Sequence, residues 1–121
     1  LFPYTTLFRS EKGVLIVAVP NCSSYDAMKY GKYWAAYDVP RHLWHFTPAT
    51  IQQFGSKHGF ILAARHPMPF DAFYVSMLTE KHKGSAYSFV KGMWTGTVAW
   101  LSAQAKKERS SSMIYVFRKK R

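Results

Sequence analysis

Three runs of apolar residues fall at strand length, and the segments between them carry helical spacing. The first, Val14 Leu15 Ile16 Val17 Ala18 Val19, follows Gly13 and is closed by Pro20 and Asn21. An uninterrupted aliphatic run of this length predicts a strand buried on both faces, as at the centre of a parallel sheet. Residues 60–64 predict a second strand, ended by Arg65, His66 and Pro67, and residues 113–117 a third, just before the basic end of the chain. Between the first two, Thr47 and Pro48 have the signature of a helix start, a hydroxyl cap followed by proline at the first helical position. That helix is expected to span 48–58, with Ile51 and Phe54 on one side and Gly59 past its end. Strand, helix and strand in this order predict parallel pairing through a right-handed crossover.

After a turn at Pro67 to Pro69, Asp71 is expected to cap a helix over 72–80, where Tyr74, Met77 and Leu78 share a face. A longer helix over 85–107 sets Tyr87, Val90, Trp94, Val98, Leu101 and Ala105 on one stripe. The stripe has two readings: a helix packed on its own sheet, or a peripheral helix on an anionic membrane served by Lys81, Lys83 and Lys91. A membrane span fits poorly, because Ser88, Gly92, Thr95, Gly96, Ser102 and Gln104 interrupt the apolarity. Ser110 to Ser112 reads as a turn. The domain is taken as 13–119, with an irregular or artefactual lead-in over 1–12, an aromatic insertion over 22–47 and a basic tail at 120–121.

A chain of 121 residues supports one modest core. Its net charge of +11, from 17 basic and 6 acidic residues, favours an anionic partner. It leaves open, as an alternative to an enzyme, a non-enzymatic basic module for a membrane surface or nucleic acid. Nucleic acid is disfavoured, since the aromatic stretch from Tyr25 to Tyr37 contains only Lys29 and Lys32 beside its rings. That stretch either lines a pocket or covers the edge of the sheet. A single cysteine, Cys22, excludes an internal disulfide framework, and the opening residues lack a secretory signal, so a cytoplasmic protein is expected. Glycine-rich nucleotide loops, GxSxG and HExxH are absent.

Chemistry is concentrated in Asp38 Val39 Pro40 Arg41 His42 Leu43 Trp44 His45 Phe46 Thr47 Pro48. Its prolines make most of it an extended or turning loop that delivers Arg41, His42 and His45 just ahead of a helix. With Trp44 and Phe46 anchored inward, the period of two sends His45 the opposite way. Three chemistries compete. A histidine could act as a base with Asp38 fixing its tautomer. Arg41 could clamp a carboxylate or phosphate. Metal binding is the poorest of the three, because His42 and His45 have helical spacing in a non-helical segment, and no metal is expected. Against all three stands a loop locked to its own domain, with His42 bonded to a backbone carbonyl.

Together GVLIVAVPN, the aromatic insertion, DVPRHLWHFTP, the helix ending in His58 Gly59 Phe60 and the terminal strand resemble the C-terminal half of a class I S-adenosylmethionine-dependent methyltransferase, of the broad methyltransferase-domain group. The resemblance extends over 13–119. It implies an α/β, Rossmann-like fold in which 14–19, 60–64 and 113–117 are the fifth, sixth and seventh strands, the seventh antiparallel between the other two. It further implies methyl transfer to a small-molecule or lipid-like acceptor. The glycine-rich loop and acidic residue that hold the methyl donor would precede Leu1, so these residues alone are expected neither to bind S-adenosylmethionine tightly nor to turn over. On the same analogy Asn21, Tyr37, Asp38 and Arg41 face the acceptor, and His42 or His45 takes its proton, with His42 favoured.

Overall fold

The last strand of the chain forms the centre of the sheet. In the computed structural model, which describes residues 12–120, β1 (Val14–Pro20) and β2 (Phe60–Pro67) flank β3 (Ser112–Lys119) and both run antiparallel to it. β1 and β2 are therefore parallel to each other. The lead-in, apart from Lys12, and the final Arg121 lie outside the described residues. β2 runs past its expected end at Ala64, because Arg65, His66 and Pro67 continue the ladder with Tyr115, Ile114 and Met113. Backbone pairing does not depend on side-chain polarity. A bulge between Leu62 and Ala64 shifts the register, so Arg65 stands on the same rung as Tyr115 and Val17.

One sheet face carries the core. Met113, Tyr115 and Phe117 are buried against Ile51, with Leu15, Val17, Phe46 and Leu62 packed around them. Ile51 belongs to α2 (Pro48–Lys57), whose start is closed by a capping box: Thr47 Oγ1 accepts from the Thr50 amide at 3.2 Å, and Thr50 Oγ1 from the Thr47 amide at 2.8 Å. Gly59, at φ +80°, turns the chain from α2 into β2. Burial of the Tyr115 phenol pushes its pKa up to about 12. The opposite face is open. Ile16 is 65% exposed and Ile61 52%, and Ala18 and Ala63 are exposed beside them. Burial of the first strand on both faces is thus not what forms: its apolar run is continuous, but among the described residues helical cover comes only from α2, on one side.

The remaining helices gather at the end of the sheet where β1 and β2 finish and β3 begins. They are α1 (Tyr25–Tyr30), the 3-10 turns Gly31–Tyr33 and Ala35–Tyr37, α3 (Asp71–His82) and α4 (Ser88–Ala105), which returns through a third 3-10 turn, Lys107–Arg109. Ala27, Tyr30, Trp34 and Val75 form a second core there. Two rings of the aromatic insertion, Tyr30 and Trp34, are thus core, with Tyr37 packed against them, whereas Tyr33 and Trp44 are exposed. Asp71 is the first residue of α3 rather than its cap, and its carboxylate accepts from the Ser112 hydroxyl. Ser110, Ser111 and Ser112, read as a turn, are buried, and Ser112 already opens β3.

α4 packs on α3 through its small residues. Gly92, Thr95, Gly96, Ala99 and Ala103 are buried, whereas Val90, Trp94 and Leu101 face outward, with Trp94 69% exposed. The large apolar stripe is therefore not packed on the sheet. The cause is the approach of the two backbones: a Cβ at Gly92 would lie 2.6 Å from the Met77 Cα, and one at Gly96 2.8 Å from the Phe73 Cα. Gly92→Ala would gain about 1 kcal/mol from helix propensity alone. The clash is with backbone that cannot rotate away, and overpacking of this kind costs about 1–3 kcal/mol. Gly92→Ala is therefore expected to lower the urea unfolding midpoint; an unchanged or raised midpoint would show that the hairpin is not packed this closely.

Candidate functional site

The loop that carries the chemistry is seated by a buried indole. Trp34 donates from Nε1 to Asp26 Oδ2 at 2.8 Å, and the same carboxylate oxygen accepts from Ser111 Oγ at 2.6 Å. The Ala35 amide donates to Thr79 Oγ1 at 2.9 Å, which ties the following turn to α3. Asp38 then adopts the left-handed conformation, at φ +42°, one that aspartate tolerates better than most side chains. From there the loop runs through a cis Val39–Pro40 peptide and comes back to the end of β1, where Phe46 bridges Asn21 and accepts from the Cys22 amide at 3.0 Å.

Between this loop and α3 lies a recess of about 430 Å³. Pro20, at the end of β1, and Asp38, Arg41 and His42 from the loop line one side, and Tyr74 and His82 stand on the other. Asp71, Tyr74, Leu78 and His82 recur at three- and four-residue steps, so one face of α3 forms the wall. Tyr74 and Leu78 were visible as a shared face in the sequence. The contribution of His82 was not, and extension of the same stripe by one turn would have found it. A smaller recess of about 110 Å³, lined by Trp44, His45 and Phe46, adjoins the first. His42 borders both.

The structure distributes the expected site residues unevenly. Arg41 pairs with Asp38, Nη2 to Oδ1 at 2.7 Å and Nε to Oδ1 at 3.0 Å, while its side chain remains 82% exposed. Asp38 is thereby committed to Arg41 and does not orient His42; only its backbone carbonyl accepts from the His42 amide, at 3.0 Å. His42 Nδ1 stands 3.5 Å from the Ala36 carbonyl, at the outer limit of a hydrogen bond. His45 is held harder: Nε2 lies 2.9 Å from the Tyr37 carbonyl, and the ring meets the Tyr37 ring edge-on at 4.8 Å. Tyr37 also packs edge-on against Trp34 at 5.1 Å. Trp44 is not anchored inward but is 80% exposed; the span is held instead by Phe46, through its bridge to Asn21, and by His45, through Tyr37.

Asn21 belongs to the scaffold. Its buried side chain donates to the Glu108 and Ser110 carbonyls at 2.7 and 2.9 Å, and its Oδ1 accepts from the amide and hydroxyl of Ser23 at 3.1 and 2.7 Å. No group is left over for a ligand. Cys22 beside it is a poor nucleophile, since burial pushes its thiol pKa up against the smaller lowering effect of a backbone hydrogen bond. Among the described residues no group of three or more His, Cys, Asp and Glu side chains could hold a metal ion.

The chain matches no family model, no curated protein and no solved structure.

Asn21→Asp replaces a double donor with an oxygen that repels two carbonyls. Each buried group left unsatisfied costs about 1–3 kcal/mol. The variant is expected to lose about 3 kcal/mol in denaturant unfolding, and wild-type stability would refute the buried tie.

Proposed function

We propose that this chain is the acceptor-side part of a class I S-adenosylmethionine-dependent methyltransferase, acting on a small-molecule or lipid-like acceptor. The observation that carries the proposal is the sheet. A C-terminal strand lies antiparallel between two parallel strands, and the chemistry-bearing loop sits at the carboxyl end of β1, where open α/β sheets take ligands. The outer edge of β1 is unpaired among the described strands and the apolar face around Ile16 and Ile61 is open, which suits a sheet that continues beyond these three strands.

The described residues do not fit a cradle for the methyl donor. No glycine-rich turn links a strand to a helix, and the carboxylates near the sheet end are committed, Asp26 to Trp34 and Ser111 and Asp71 to Ser112. What these residues supply is acceptor chemistry. His42, which borders both recesses and is loosely bonded, is the better placed base; His45 is held by Tyr37. Arg41 presents an exposed guanidinium whose charge is already shared with Asp38, so it suits orientation of an acceptor carboxylate or phosphate.

The test is methyl-donor turnover by the full-length protein against hydroxyl, carboxyl and amine acceptors. His42→Ala is expected to lower kcat roughly 100-fold with donor binding retained. Arg41→Ala is expected chiefly to raise the acceptor KM. Wild-type turnover by both variants, or the absence of turnover on the whole panel, would contradict the proposal.

A further inference from the structure

We infer that the α3–α4 hairpin docks on an anionic lipid bilayer, with the outward stripe of α4 at the boundary between headgroups and acyl chains. The inference stands on this surface alone and does not depend on the catalytic proposal.

The helix is built the wrong way round for a water-facing element. Its small residues are spent on α3, and Val90, Trp94 and Leu101 are left outside, with exposed Tyr87 and Phe89 at the start of the helix. A contiguous apolar stripe left exposed on one helix face marks a docking or membrane surface. No helix among the described residues is long and apolar enough to cross a membrane. An in-plane position remains, and the 18 residues of α4 would lie along it for about 27 Å.

Charge selects the occupant. Exposed Lys81, Lys83 and Lys91 flank the stripe at the hairpin turn, and no acidic residue occurs between Glu80 and Glu108. The acids among the described residues are engaged or buried: Asp26 and Glu80 are buried, Asp71 accepts from Ser112, Asp38 pairs with Arg41, and Glu108 with Arg65 at 2.7 Å. Lys83 reaches over the rings of Tyr30 and Tyr33 at 5.7 and 5.9 Å, which joins exposed Tyr33 to the same basic and aromatic surface. Interfaces between proteins are depleted of lysine at their cores, whereas aromatic rings with flanking lysines suit the headgroup region.

Co-sedimentation of the full chain with phosphatidylcholine vesicles, with and without phosphatidylglycerol, tests this. Binding is expected only with phosphatidylglycerol and should weaken at least about tenfold between low salt and roughly 0.5 M salt. Each lysine near the surface contributes about fivefold, so the combined Lys81→Gln, Lys83→Gln, Lys91→Gln variant should bind on the order of 100-fold more weakly. Trp94→Ser with Leu101→Ser should abolish binding. As a check that survives any misfolding of that variant, acyl-brominated lipid should quench Trp94 fluorescence in a Trp44→Phe, Trp100→Phe background, where the one other indole, Trp34, is buried. The inference is overturned by failure to bind either vesicle, by absence of quenching, by a folded Trp94→Ser, Leu101→Ser variant that binds as wild type, or by a dimer of the chain that those two substitutions dissolve. Salt-sensitive binding to duplex nucleic acid without vesicle binding would likewise overturn it.

Discussion

Three buried serines hold the end of the sheet on which both walls of the recess are mounted. The carbonyls of Ser110 and Ser111 accept from the Asn21 side chain and amide, which fixes the end of β1. The hydroxyl of Ser111 donates to Asp26, which also takes the Trp34 indole, and the hydroxyl of Ser112 donates to Asp71 at the start of α3. The Ser112 carbonyl accepts from the Met68 amide at 3.0 Å, closing the exit of β2. Individually such bonds contribute modestly to stability, about 1 kcal/mol, or more when an ionised carboxylate accepts. Their larger effect is on uniqueness of structure, because buried polar groups tolerate few alternative arrangements. The loop wall and the helix wall of the recess are fastened to adjacent residues, one to Ser111 through Asp26 and Trp34 and the other to Ser112 through Asp71.

The parts of this structure governed by neighbouring residues were legible in the sequence. Thr47, Pro48 and Gly59 delimit α2 with local signals, and three apolar runs mark the strands. What covers a strand is not written in its own residues, so Ile16 and Ala18 could be recognised as apolar but not as exposed. The burial of the serines was illegible for a related reason. Three serines in a row suggest a turn, and the partners that permit their burial are distant; Asp26 lies 85 residues from Ser111. In α4 the correct stripe was visible, but its direction depended on how closely Gly92 and Gly96 let α3 approach.

The candidate site shows the same division. The loop, its prolines and its concentration of Arg41 and the two histidines could be read directly. Which histidine is tied down could not, because the Tyr37 carbonyl that holds His45 is brought to it by the turn at Asp38. Asp38 was read as a partner for histidine, but the left-handed turn and the three-residue step give it to Arg41 instead. Asn21, polar and just past a strand, had the look of a ligand-binding residue until its four bonds were accounted for.

α3 connects the two surfaces, with Tyr74 and His82 on the recess and its Met77 and Phe73 backbone against the glycines of α4. The acceptor-side assignment is tested most directly by a crystal structure of the full-length protein with S-adenosylhomocysteine. The account predicts that further strands pair with the free edge of β1 and that the ligand sulfur opens onto the recess between His42 and Tyr74. A β1 that remains at the sheet edge, or a ligand held away from that recess, would contradict it.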